Sequence, residues 1–189
     1  MVDQETFCPK NRKDWRQWLA KNHRSCQSIW LVCRKTSFGT PNITWDEAVD
    51  EALCFGWIDS TKKTLDEEYF IQYYSRRKPK STWSKINKKK VEQLIADNLM
   101  TPAGLECVRI AKENGAWTML DSVDDLIVPE DLEDALANTS GAKAFYEGLS
   151  NSKKKQILVW ILFAKQAETR ARRIAKVAEH AARGEMPNI

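Results

Sequence analysis

The sequence predicts an α+β fold, with a small antiparallel three-stranded sheet in the N-terminal half packed with helices, and an all-helical C-terminal half ending in a long helix. Three observations carry this reading. The β-prone runs 29–33, 57–59 and 69–74 all precede Pro79. The last two are joined by the polar loop 61–68, too short for a parallel crossover. Everything after Pro79 shows helix caps and apolar residues spaced by three or four.

The elements follow in order. Asn11 caps a helix on which Trp15, Trp18 and Leu19 recur at helical spacing, and residues 29–33 then form a buried strand. Turn residues fill 36–41, after which Thr44-x-x-Glu47 is a capping box. The helix it opens carries Trp45, Val49, Ala52 and Leu53 on its apolar side and ends at Gly56. Residues 57–59 and 69–74 form a hairpin. Ser81 or Ser84 caps a helix bearing Ile86, Val91, Leu94 and Ile95, and Thr101-Pro102 starts another that stops at Gly115. Short helices follow at 129–137 and around Phe145 and Leu149. The last helix spans 152–184, with Trp160, Ala164, Ala167, Ala171, Ile174, Ala178 and Ala182 as its apolar stripe. One domain over 1–189 is expected, divisible into an α/β lobe at 1–79 and a helical lobe at 80–189.

Composition narrows the function classes. With 42% apolar and 30% charged residues, the 189-residue chain is globular in type. Its longest apolar run, 157–164, is far short of the roughly 20 residues that span a bilayer. The acidic N-terminal residues lack the pattern of a signal peptide, which points to the cytoplasm. Five cysteines without a C-x-x-C pair suit a reducing compartment, and His23 and His180 are the only imidazoles. No metal and no cofactor is expected.

The net charge of +4 is small, but its distribution is not even. Residues 69–91 hold no Asp or Glu, while Arg76, Arg77, Lys78, Lys80, Lys85, Lys88, Lys89 and Lys90 fall there. Residues 121–134 reverse the pattern. A basic face and an acidic face are expected.

The functional candidate is the stretch 56–87, and within it Arg76, Arg77, Ser81, Trp83, Ser84 and Asn87. A helix N-terminus offers backbone N–H groups and positive dipole charge, serine hydroxyls add donors, and arginine presents a planar fork to phosphate or carboxylate. Trp83 supplies a stacking surface. Against this stands a plain structural reading, with a serine cap, a core tryptophan and solvated lysines. Asp59 is a candidate general base or a support for Arg76 or Arg77, although a structural pairing is the favoured role for such a strand-end carboxylate. Cys54 has no histidine in its motif to activate it and reads as a small hydrophobe. On the last helix, Glu168 and Arg172 have ion-pair spacing, while Lys165, Arg170 and Arg173 are candidates for a second wall of the anion site.

Three blocks carry a family resemblance: residues 52–59; Arg76-Arg77 with Ser81-x-Trp83-Ser84-x-x-Asn87; and Ala164-Lys165-x-x-Glu168-Thr169-Arg170-x-x-Arg173-Ile174. In this order they resemble the YdeI/OmpD-associated family, also called bacteriocin-protection proteins, over nearly the whole chain. Ser60, Ser75 and Asn98 depart from the family pattern, standing where Gly, Pro and Gly are usual. The resemblance implies stress or bacteriocin protection and association with an envelope protein, without an established reaction. The periplasmic description of the family is not carried over, because the chain shows no signal peptide.

The leading expectation is therefore a non-enzymatic protein that binds a phosphate-bearing small molecule or an acidic partner through the surface at 76–87. Nucleic-acid binding through the same lysines is an alternative. An enzyme with Asp59 as base has the least support.

Overall fold

A computed structural model describes residues 5–189; the start of the chain, on which the signal-peptide reading partly rests, lies outside the described residues. Asn11 caps α1 (Arg12–Asn22), its side chain accepting from the Asp14 backbone N–H at 3.0 Å. Thr44 and Glu47 close a complete capping box on α2 (Trp45–Cys54). Ser84 and Thr101 cap α3 (Lys85–Ala96) and α4 (Pro102–Glu113). These starts follow from short-range chemistry, since each oxygen satisfies an N–H that the helix itself cannot. Asn98 ends the turn after α3 at φ 57°, the left-handed conformation that glycine takes freely and asparagine tolerates.

The strands are β1 (Thr6–Phe7), β2 (Ser28–Arg34), β3 (Trp57–Thr64) and β4 (Tyr69–Arg76). They form one four-stranded sheet in the order β1-β2-β4-β3. The expected antiparallel trio is present, but β1 adds a parallel edge, with Thr6 opposite Trp30 and Phe7 opposite Leu31. The sheet is therefore mixed. Two residues carry no alternation for a sequence reading to detect, and α1 supplies the crossover that a parallel pair requires. Phe7 then stacks on the rings of Trp15 and Trp18.

Trp15, Leu19, Leu31, Trp57, Tyr74 and Trp83 are all at most 1% exposed and anchor the core of this part. Glu51 is buried with them, and it accepts from Arg12 Nε and Arg16 Nη1 at 2.6 Å each. A buried carboxylate is tolerated only with such partners. Between α2 and β3 the chain turns at Gly56, φ 73°. The Cys54 carbonyl just before it accepts from Thr101 Oγ1 at 2.6 Å and from Thr101 N at 3.1 Å, which docks the start of α4 onto the end of α2.

The chain divides into two compact units, one reaching Thr118 and the other running from Met119 to Ile189. The lobe boundary expected near Pro79 lies inside the first. The second unit holds α5 (Asp121–Asp124), α6 (Glu130–Ala137), α7 (Ala142–Gly148), α8 (Asn151–Leu162) and α9 (Ala167–Ala182). The single helix expected over 152–184 is thus two, interrupted at Gln166, whose backbone is extended. No Gly or Pro marks this break; the reason is phase. Ile161 on α8 and Ile174 on α9 are both buried, yet on one straight helix they would lie roughly 140° apart. Breaking the helix lets both sides enter one core with Leu132, Leu136 and Tyr146. The buried stripe of α9 is Ile174, Val177, Ala178 and Ala181, whereas Ala167, Ala171 and Ala182 are exposed.

A Cβ at position 104 would lie 2.4 Å from the Cys54 carbonyl oxygen, while one at Gly148 meets nothing within 4 Å. Gly104→Ala is expected to destabilise the protein by about 1–3 kcal/mol or more. Gly148→Ala, in a helix, should be neutral or mildly stabilising; urea unfolding of both variants checks the contrast.

Candidate functional site

The run that follows β4 turns inward at its arginines. Arg76 donates from Nε to the Cys26 carbonyl at 2.8 Å and from Nη2 to the Arg24 carbonyl. Arg77 lays its guanidinium 3.6 Å from the centroid of the Trp83 ring and donates from Nη1 to the Thr82 carbonyl at 2.9 Å. Its Nε is buried and finds no hydrogen-bond partner among the described residues. Burial pushes the Arg77 pKa down to about 10, against the opposing pull of Cys107 and Asp59. Trp83 is 1% exposed and its other ring neighbour is Trp117, at 5.0 Å. Ser84 Oγ accepts the Asn87 backbone N–H at 3.3 Å, and Ser81 N closes a turn on the Lys78 carbonyl at 2.9 Å. Arg76, Arg77, Trp83 and Ser84 therefore each make contacts that hold the fold. Lys78, Lys80, Lys85 and Lys89 are the exposed charges around them.

Asp59 lies on β3 opposite Tyr74. Its Oδ2 accepts from Trp45 Nε1 at 3.0 Å and from Gln72 Nε2 at 3.4 Å. Its hydrogen-bond partners are thus Trp45 and Gln72 rather than Arg76 or Arg77. Tyr74, buried beside it, has its pKa raised by burial and by the charge of Asp59.

That bond fixes the ring of Trp45, which the sequence reading placed on the apolar side of its helix. It is 46% exposed and lines a cavity of about 380 Å³ with Arg34, Lys35, Ile43, Lys62 and Phe70. Register shifts between Asp59 and Lys62, so that Lys62 comes opposite Gln72. The Lys62 ammonium sits 3.9 Å from the centroid of Phe70 and has no carboxylate within ion-pair distance among the described residues. Arg34 Nε lies 2.6 Å from Glu68 Oε1 without being aligned to donate to it. Lys35 Nζ donates to the carbonyls of Asp66 and Glu67 at 2.6 and 2.9 Å. Sequence reasoning missed this groove because its parts come from separated elements. The pair Lys62-Lys63 was visible in the sequence, but within the stretch 61–68 read as a polar loop, whereas β3 runs on to Thr64.

In the second unit, Arg170 makes a bidentate pair with Asp131, at 2.6 and 2.8 Å, which holds the aspartate below the usual carboxylate range. Arg173 donates from Nη1 to the Trp160 carbonyl and rests over that ring at 5.1 Å. Lys165 is exposed. Glu168 and Arg172 are exposed as well and do not form the expected ion pair among the described residues. No group of His, Cys, Asp and Glu among the described residues is arranged to hold a metal ion. No helix among them is long and apolar enough to cross a membrane.

Two family models match the chain. Residues 7–107 match a domain of unknown function, DUF8412. Residues 125–184 match the bacteriocin-protection, YdeI or OmpD-associated family, the one that the sequence blocks resemble. The third of those blocks lies inside the second match, and the first two lie inside the first. No curated protein and no solved structure matches.

The burial of Trp83 sets a mutational contrast. Trp83→Ala is expected to cost about 3–5 kcal/mol in chemical denaturation. Lys78→Ala, on the exposed part of the same run, should stay within about 0.5 kcal/mol of the parent.

Proposed function

Since the chain belongs to the DUF8412 family and carries a YdeI/OmpD-associated segment, we propose that it is a bacteriocin-protection-type binding protein whose first unit takes an anionic ligand with a planar ring. The observation that carries this is the exposed Trp45 ring, fixed by Asp59, facing the same cavity as Lys62 and Arg34. An indole face provides stacking, an ammonium without a carboxylate partner provides charge, and a guanidinium provides directed donors. A cavity of about 380 Å³ is within the size range of small-molecule sites.

This reading keeps the expectation of a phosphate-bearing or acidic ligand and moves its centre. Arg76, Arg77, Ser81, Trp83, Ser84 and Asn87 become the framework behind β4 and α3 rather than the first contacts. Lys165, Arg170 and Arg173, in the other unit, are left out of the site. Asp59 serves as the anchor of Trp45. That two N–H donors already converge on its Oδ2 favours this role over that of a general base.

Adenosine monophosphate tests the proposal, with uncharged adenosine as the control for stacking alone. In nitrogen–proton correlation spectra, the nucleotide is expected to shift the Trp45 indole N–H, assigned through Trp45→Phe. Lys62→Ala should weaken nucleotide binding about tenfold, the loss of one charge-assisted contact, and leave adenosine unaffected. An unmoved Trp45 signal at millimolar nucleotide, or equal affinity in Lys62→Ala, would sink the proposal.

A further inference from the structure

The groove of the first unit is framed by segments that are pinned. Asn42 ties the loop after β2 to the sheet, accepting the Arg34 backbone N–H at 2.8 Å and donating to the carbonyls of Val32 at 3.0 Å and Pro9 at 2.8 Å. Lys35 ties the start of that loop to the hairpin turn through the carbonyls of Asp66 and Glu67. The Glu68 backbone is held on both sides, since its N–H donates to Asp66 Oδ1 at 2.8 Å and its carbonyl accepts from Lys35 N at 2.9 Å. What is left to move is the Glu68 side chain, which is 38% exposed.

Neighbouring carboxylates are committed to neutral donors. Asp59 Oδ2 accepts from Trp45 and Gln72, Glu47 Oε2 closes the capping box with Thr44, and Asp66 Oδ1 accepts from the N–H groups of Glu68 and Tyr69. Glu68 instead lies against a cation of the groove wall, Arg34, at 2.6 Å. That contact is poorly directed, because Arg34 Nε makes no aligned hydrogen bond. Arg170 and Asp131 show what a fastened pair looks like in this chain, with two aligned donors on two oxygens. A half-exposed ion pair without such geometry holds weakly. The Arg34 side chain is 37% exposed even with the carboxylate in place. Its Nη1 lies 3.6 Å from where a Cβ on Gly39 would stand, so the loop walls the guanidinium on another side. The cation is held ready while its counter-charge is free to swing.

We propose that Glu68 is the internal competitor of the groove, its carboxylate occupying on Arg34 the place that the phosphate of an anionic ligand takes. This inference rests on the anion-groove reading and adds the step by which the groove opens. An incoming phosphate meets Lys62, whose ammonium has no carboxylate within ion-pair distance among the described residues, and then exchanges for Glu68 on Arg34. The exchange strands no charge, since the released carboxylate turns into water. A ring without an anion has nothing to put in place of Glu68 and leaves the pair closed. Glu68 therefore weakens every ligand that uses Arg34 and is indifferent to one that only stacks.

Adenosine monophosphate and adenosine, followed through the Trp45 indole N–H, test this in wild type, Glu68→Gln, Arg34→Gln and the double variant. Glu68→Gln keeps the size of the side chain and both backbone bonds. It should raise nucleotide affinity about three- to fivefold, the range that a half-exposed ion pair covers, and leave adenosine unchanged. In the Arg34→Gln background the same substitution should have no effect, because no cation is left to release. Equal nucleotide affinity in wild type and Glu68→Gln, with Lys62→Ala still weakening it, would overturn the competitor and spare the groove. A gain that persists without Arg34 would mark a general effect of the lost charge and overturn it as well. A Trp45 signal that the nucleotide moves in neither wild type nor Glu68→Gln would overturn both readings.

Discussion

The turn at residues 54–56 is the joint on which the first unit depends. The Cys54 carbonyl holds both donors of Thr101, and the Gly56 carbonyl accepts the Arg77 backbone N–H at 2.9 Å. Gly56 supplies the positive φ that sends α2 directly into β3. Gly104 supplies the missing side chain that lets α4 approach, since a Cβ there would overlap the Cys54 carbonyl. Once the turn is fixed, Trp57 pairs with Arg76 and Asp59 with Tyr74, and the shift that follows places Lys62. The groove inherits its geometry from this joint, because Trp45 opens the helix before the turn and Lys62 lies on the strand after it. The block 52–59 is in this sense architectural.

The same architecture accounts for the inward arginines. Removing a guanidinium from water is unfavourable, and the lowered pKa of Arg77 expresses that. The Trp83 ring and the Thr82 carbonyl offset part of it, and in exchange the segment between β4 and α3 is fastened to the core. A positive run in a sequence thus separates into two populations once folded. Arg76 and Arg77 satisfy carbonyls of their own chain, while Lys78, Lys80 and Lys89 stay in water.

Local rules were legible in the sequence. The caps at Asn11, Thr44, Ser84 and Thr101 stand where the sequence places them, because capping is decided within four residues. The three longer strands were legible from composition, although β3 runs on to Thr64 through residues 61–64, which read as part of a polar loop. The strand at Thr6–Phe7 was not, since two residues have no period, and neither was the break before α9, since it comes from the phase of two buried faces and not from a breaker residue. At the site the limit was long-range pairing. Ser84 as a cap was visible, whereas the exposure of Trp45 depends on a hydrogen bond to Asp59 fourteen positions away. Lys62 required the register shift. The C-terminal block, residues 164–174, lies within the YdeI/OmpD-associated match at 125–184, so the family signal there was legible in the residues themselves.

The central claim is that the outward chemistry of the first unit lies in the groove between Trp45 and Lys62, and that the arginines at 76 and 77 belong to the framework. A crystal structure of the chain with adenosine monophosphate tests it most directly. The account predicts ligand density against the Trp45 ring, with the phosphate near Lys62 and Arg34. Density at the start of α3, with Arg77 turned away from Trp83 to meet the phosphate, would contradict it.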